Sequence, residues 1–192
     1  MKFEKVSFET FRIAMRDLPQ FAGVTDEELL DIYKKIKLPE RSTSGSAGYD
    51  FYSPISRCLN GFGAEIKAVE DPLSHARYEV VEVKRDEILI PTGIKAQIDP
   101  GWVLVLAPRS GQGFKYGVAL ANTVGVIDED YYNNENNEGH IMVKLTTTST
   151  EIDEVYFDRG TAFCQGIFLP YGLTDNDKTT ATRTGGLGST GM

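Results

Sequence analysis

The stretch PTGIKAQIDPGWVLVLAPRSG, residues 91 to 111, decides the fold class. Its apolar residues come in two short runs: 94–98, which alternates with period two, and 102–107, which is apolar throughout. The turn signals PTG and DPGW bracket the first run. This is the pattern of consecutive half-buried strands joined by tight turns. The same texture extends outward on both sides. Further strands are expected at 48–53, 64–69, 78–83, 88–90, 124–127, 141–147 and 162–169, each broken off by Gly, Pro, Asn or Asp. No ten-residue helical pattern lies between them, which disfavours a doubly wound βαβ sheet. The main body is therefore read as all-β, a jelly-roll or barrel-like fold.

The first forty residues differ. Phe8, Phe11, Met15 and Leu18 recur at helical spacing until Pro19. Thr25 and Glu28 then form a capping box, followed by Leu29, Ile32, Tyr33 and Ile36 on one face. Two amphipathic helices are expected, at about 7–18 and 26–36, and their apolar faces must dock on the main domain or on a neighbouring subunit. At the other end, Pro170 closes the last apolar run and a polar tail follows. The chain thus divides into a helical extension (1–36), a β domain (37–170) and a mobile C-terminal arm (171–192). The Asn- and Glu-rich stretch YYNNENNEGH, 131 to 140, reads as a solvated hairpin tip.

Composition removes several function classes. A length of 192 residues suits one domain with an extension, and a net charge of -8 argues against a nucleic-acid binder or a polybasic membrane anchor. A phosphate ligand stays open, because a few placed arginines suffice locally. Cys58 and Cys164 are the only cysteines, and His75 and His140 the only histidines. That excludes a disulfide framework and a structural zinc site, and without H-x-E or P-C-x-x-C a zinc-dependent deaminase as well. The N-terminus has no apolar signal region and no stretch spans a membrane, so a cytoplasmic protein is expected.

Four segments could carry chemistry. PRSG, 108 to 111, sets Arg109 beside Ser110 at a strand end, a donor pair suited to an oxyanion; the plainer reading is a surface turn. TVGVIDEDYY, 123 to 132, runs an apolar strand into Asp128, where a carboxylate can serve as a general base for water; the plainer reading is a solvated acidic turn. Alternation would place Asp128 and Asp130 on one face and Glu129 on the other. SAGYDFYS, 46 to 53, buries Asp50 in an aromatic strand, where it needs a cation or a hydrogen-bond donor, local backbone included. Finally GLGSTG, 186 to 191, matches G-x-G-x-x-G but has no helix behind it. Its backbone N–H groups could wrap an anion, or it could be a disordered tail.

In order, the segments AGYDFYS, PRSG, ANTVGVIDEDYY, GTAFCQGIFLP and GGLGSTG resemble the five motifs of the trimeric dUTPase family, from about residue 37 to the C-terminus. The resemblance implies a dUTPase-like jelly-roll or β-clip subunit that forms a homotrimer, with each active site built from three chains. It also implies a Gly-rich arm that closes as a lid, which explains the missing helix. The implied reaction is Mg²⁺-dependent hydrolysis of dUTP to dUMP and pyrophosphate. By the same resemblance Asp128 is the general base and Asp50 holds Mg²⁺ through water. Arg109, Ser110, Gly111 and Gln165 bind the triphosphate. Asn122 and Val126 line the uracil slot, Tyr131 packs under the deoxyribose, and Arg183, Leu187, Gly188, Ser189 and Thr190 close from the arm.

This chain departs from the family pattern in three ways. Leu187 stands where the arm usually has an aromatic, Arg183 lies one residue nearer to it than usual, and the segment after Tyr131 is longer. Two alternatives remain beside the diphosphatase. One is a dCTP deaminase or bifunctional deaminase–diphosphatase of the same fold. The other is a nucleotide-sensitive regulatory protein that binds a partner through the N-terminal helices or the Asn-rich insertion.

Overall fold

The computed structural model describes residues 1–61, 63–70, 77–84, 86–149 and 151–181, with 63–70 and 77–84 as backbone. Two sheets form the body. One contains strands β2 (Tyr49–Tyr52), β8 (Trp102–Pro108), β10 (Gly125–Ile127) and β13 (Ala162–Pro170), in the order β10-β8-β13-β2. The other contains β6 (Glu87–Pro91), β9 (Val118–Leu120) and β11 (Met142–Thr147), in the order β6-β11-β9. All named pairings are antiparallel. Alternation places Phe51, Leu104 and Leu106 of the first sheet and Ile88, Ile90, Val143 and Leu145 of the second in one core. Gly166 lets the first sheet close up, since a Cβ there would meet Leu104 and Phe51 at 2.9 Å. Two further antiparallel pairs join β3 (Arg57–Asn60) to β12 (Glu154–Phe157), and β4 (Gly63–Glu70) to β5 (Arg77–Lys84).

The two expected helices form, as α1 (Phe8–Arg16) and α2 (Asp26–Lys34). Ser7 caps α1 by accepting from the Thr10 N–H, and the Thr25–Glu28 capping box opens α2. Of the two docking options, the helices take the main domain. Phe11, Met15 and Leu29 are fully buried and share one core with Phe51 and Leu104. Gly93, at φ +72°, is where the extension presses closest, because a Cβ there would collide with Ile36.

Strands β3, β9 and β12 were not expected from the sequence, and three further features were not legible. A first strand, β1 (Lys2–Lys5), pairs with β7 (Ile94–Gln97), Lys2 facing Gln97 and Lys5 facing Ile94. Its single apolar residue, Phe3, packs 5.4 Å from Tyr49 and 5.5 Å from Phe51 between ring centres. One apolar residue in four carries no periodicity, so nothing local announced the strand. A short helix, α3 (Ser110–Tyr116), follows PRSG and ends on Gly117 in the left-handed conformation. The 131–140 stretch is not a solvated hairpin tip. Tyr131, Asn134, Gly139 and His140 are buried, because the loop folds onto itself and onto α1.

Among the described residues no helix is long and apolar enough to cross a membrane.

Candidate active site

Register brings the first group together. Asp50 of β2 lies opposite Gln165 of β13, and Gln165 lies opposite Ala107 of β8. Because Phe51 turns into the core, Asp50 faces the other way, beside the end of β8, where Arg109 follows. The Arg109 Nε lies 3.0 Å from Asp50 Oδ1, and Nη2 lies 3.5 Å from Oδ2. Gln165 donates from Nε2 to the Pro108 carbonyl at 3.2 Å. Gly48 leaves it room, since a Cβ there would collide with the Gln165 carboxamide oxygen.

These residues, with Ser110 and Gly111, line a cleft of about 730 Å³. Ser42, Ser46, Gln112 and Lys115 line it too, and none of them stood out in the sequence. Gln112 and Lys115 reach it only because α3 winds back after Arg109, and the one available signal was Gly117 as a helix terminator. Gln112 Oε1 is buried without a hydrogen-bond partner among the described residues, while its Nε2 donates to the Ala162 carbonyl at 3.3 Å. The cleft therefore gathers a guanidinium, an ammonium, serine hydroxyls and two carboxamides: donors for a polyanion, with one carboxylate.

That carboxylate bears on Mg²⁺. Among the described residues no cluster of three or more acidic, His or Cys side chains could hold a metal by itself. One carboxylate beside a polyanion site fits an ion that keeps its water shell and takes most other ligands from phosphates, as Mg²⁺ does. Cys164, on β13, is an inert neighbour: burial, and then the Asp50 charge, push its thiol pKa well up.

The second group lies elsewhere. Asn122 and Thr123 form the turn into β10, Thr123 at φ 67°, and the Val124 N–H donates to the Asn122 carbonyl at 2.7 Å. Among the described residues β10 pairs only with β8, so its other edge is open. Val126 on it is 57% exposed. Asp128 follows β10 in extended conformation and a single 3₁₀ turn, Glu129–Tyr131, comes next. That turn breaks the expected alternation. Asp128, Glu129 and Asp130 all line one hollow of about 460 Å³, with Val103, Val126 and Tyr171. Tyr131 does not line it; its ring is 4% exposed and its hydroxyl donates to the His140 carbonyl at 3.0 Å.

The two groups sit toward opposite ends of β8. Ile127 pairs with Leu104, so Asp128 lies near Val103, whereas Arg109 comes after the far end of the strand. From Val103 to Arg109 an extended chain climbs about 20 Å at its usual rise per residue. Between them the outer face of the sheet is apolar, with Val126 opposite Val105 and Val105 opposite Ile167. The arm residues Arg183, Leu187, Gly188, Ser189 and Thr190 lie outside the described residues.

Comparison with known proteins gives the family. The family model for dUTPase matches residues 72–191. A Lactococcus lactis protein named deoxyuridine 5'-triphosphate nucleotidohydrolase is 39% identical over 168 residues, covering 85% of this chain and 95% of its own. A Psychromonas ingrahamii protein of the same name is 35% identical over 166 residues, covering 83% and 91%. The crystal structure of dUTPase from Streptococcus mutans superposes with a TM-score of 0.54 at 35% identity, over 72% of this chain and 88% of that one. The order of the segments, the two-sheet fold and these relatives lead to one assignment: the chain belongs to the dUTPase family.

Proposed function

We propose that this chain hydrolyses dUTP to dUMP and pyrophosphate by attack of water on the α-phosphorus, at sites shared between copies. The observation that carries the shared site is the separation along β8. One subunit holds the polyanion cleft near one end of the strand and the Asp128 hollow near the other, with an apolar sheet face between them on which Val105 and Ile167 are half-buried and Val126 is exposed. A face of that kind calls for a partner, and a second copy seated on it can set its own Asp128 against the first copy's cleft. A closed ring of three copies satisfies every such face, and the homotrimer is the assembly we adopt.

In that assembly Arg109, Ser110, Gly111 and Gln165 bind the triphosphate, with Gln112 and Lys115 at the margin. The open edge of β10, with Asn122 and Val126, receives the uracil, whose edge backbone groups can read. Tyr131, buried behind Asp128, backs the deoxyribose end from inside the fold, where its bulk leaves no room for a 2′-hydroxyl. Asp128 takes the proton from water as the new O–P bond forms and the bond to the β-phosphate breaks. The departing pyrophosphate stays on Arg109, which neutralises its charge. Asp50 would hold Mg²⁺ through its water shell, and the ion supplies further charge neutralisation on the triphosphate when bound. Arg183, Leu187, Gly188, Ser189 and Thr190 close over the nucleotide from the arm. Both cysteines are free thiols, which suits a reducing cytoplasm.

The test is pyrophosphate release with Mg²⁺ from dUTP, dCTP, dTTP and UTP, beside Asp128→Asn. Release from dUTP alone, lost in the variant, is expected. Conversion of dCTP to a uracil nucleotide would point instead to a deaminase of this fold. Nucleotide binding without release would point to a regulatory role.

A further inference from the structure

The loop after Asp128 is held in shape by its own asparagines. Asn134 is 8% exposed. Its Nδ2 donates to the Tyr131 carbonyl and to Asn137 Oδ1, both at 2.8 Å, and its Oδ1 accepts from the N–H groups of Asn136 at 3.1 Å and Asn137 at 3.2 Å. Asn137 reaches back to donate from Nδ2 to the Tyr131 hydroxyl at 2.9 Å and accepts from the Gly139 N–H at 3.1 Å. The Tyr131 N–H closes the chain by donating to the Asp128 carbonyl at 3.2 Å. A buried amide with its donors and acceptors used, as at Asn134, rigidifies the segment that carries it.

The far end of the loop is fastened to the N-terminal segment. Glu138 accepts from the Ser7 N–H at 3.0 Å, from the Thr10 hydroxyl at 2.6 Å, from Lys95 Nζ at 3.1 Å and from the Ser7 hydroxyl. The Tyr132 hydroxyl donates to Glu4 of β1. Asn133 takes left-handed backbone at φ 56°, as Asn readily does, whereas Glu138 at φ 57° needs its surroundings to hold it there.

We propose that residues 132–139 are a splint for the Asp128 turn, with Asn134 and Asn137 as its positioning residues and Glu138 as its anchor on the extension. The proposal rests on the reading of Asp128 as the base for water. Asp128 sits on a single turn at the end of a three-residue edge strand, and the loop's hydrogen bonds reach that turn through Tyr131. The extension, which the family resemblance leaves outside the motifs, then serves the reaction through Ser7 and Thr10.

The experiment is steady-state pyrophosphate release from dUTP by the full chain carrying Asn137→Ala, Tyr131→Phe, both together, or Glu138→Gln. Asn137→Ala is expected to lower kcat about tenfold, since small misplacements of a reacting group are costly. KM for dUTP should stay within about twofold, as for a group acting only in the transition state. The losses in the double variant should fall short of multiplying, because both single variants remove the Asn137–Tyr131 hydrogen bond. A wild-type kcat in Asn137→Ala, or losses that multiply in the double variant, overturns the splint. If Asn137→Ala does not fold, Glu138→Gln carries the test with the same expected split, and a wild-type kcat there overturns it. Asp128→Asn, run alongside, separates the two readings: full activity in it refutes the base itself, whereas an inactive Asp128→Asn beside an unaffected Asn137→Ala refutes only the splint.

Discussion

Arg109 and Asp50 meet at 3.0 Å although 59 positions separate them in the chain. The cleft thus carries a cation and an anion that neutralise each other until a ligand arrives. A triphosphate with Mg²⁺ brings the complementary charges, so both partners can turn from each other to the ligand. Asp50→Asn is expected to raise the Mg²⁺ concentration for half-maximal rate about tenfold, the scale seen when an outer partner of a metal is lost. The melting temperature should barely move, because a pair this exposed on the Arg109 side contributes at most about 1 kcal/mol. An Mg²⁺ titration of pyrophosphate release, read beside a thermal melt, checks both.

Sharing of the site between copies predicts complementation. Arg109→Ala and Asp128→Asn should each be nearly inactive alone. Refolded together, they should recover about a quarter of wild-type activity, because random assortment in a symmetric ring pairs an intact Arg109 with a neighbour's intact Asp128 at that frequency. No recovery in mixed refolding would place both groups of one site in one chain.

The arm makes a prediction from sequence. With Leu187 where the family has an aromatic, Leu187→Phe should lower KM for dUTP, since stacking on a base is worth about 1–3 kcal/mol. Unchanged KM and kcat would show that the arm does not stack at this position.

Acid should unfold the protein in two stages. Burial holds the His140 pKa down to about 4, and its Nε2 accepts from the Gly93 N–H at 2.8 Å, so the folded state needs it neutral. The unfolded chain takes up that proton near pH 6.5. Stability is therefore full above pH 6.5 and falls by about 3 kcal/mol as pH drops toward 4. Glu138 acts lower: burial pushes its pKa up, but hydrogen bonds from Ser7, Thr10 and Lys95 outweigh it and hold it at about 2. Its contribution is present above pH 4.5 and is lost between there and 2. Urea unfolding at pH 7, 5.5 and 4.5 measures the first stage, and His140→Gln should flatten it.

The helical extension is part of the core, so truncating it there should be as damaging as truncating a strand. Phe11 is fully buried, against Tyr33 at 5.8 Å and His140 at 6.4 Å between ring centres. Phe11→Ala is expected to cost about 3–5 kcal/mol in urea unfolding. A loss below about 1 kcal/mol would mean that the extension folds without the body.

Local pattern alone was enough for much of this. Alternation in 94–98, the continuous apolar run 102–107, and helical spacing from Phe8 to Leu18 depend on neighbours in the chain, so they can be read without a partner. So can the Thr25–Glu28 capping box and the five motif segments in their order. Tertiary structure decided what depends on distant residues. The pairing of Lys2–Lys5 with Ile94–Gln97 is set by the edge that β7 offers and by the aromatic pocket for Phe3. The polar run 131–140 became a packed loop because Glu138 found Ser7 and Thr10, more than 120 positions away. Register across β2, β13 and β8 put Asp50, Gln165 and Arg109 in one cleft and left Asp128 near the other end of β8. A motif names the groups a site needs; which of them meet within one chain is fixed by strand pairing, a long-range hydrogen-bonded arrangement that no short stretch encodes.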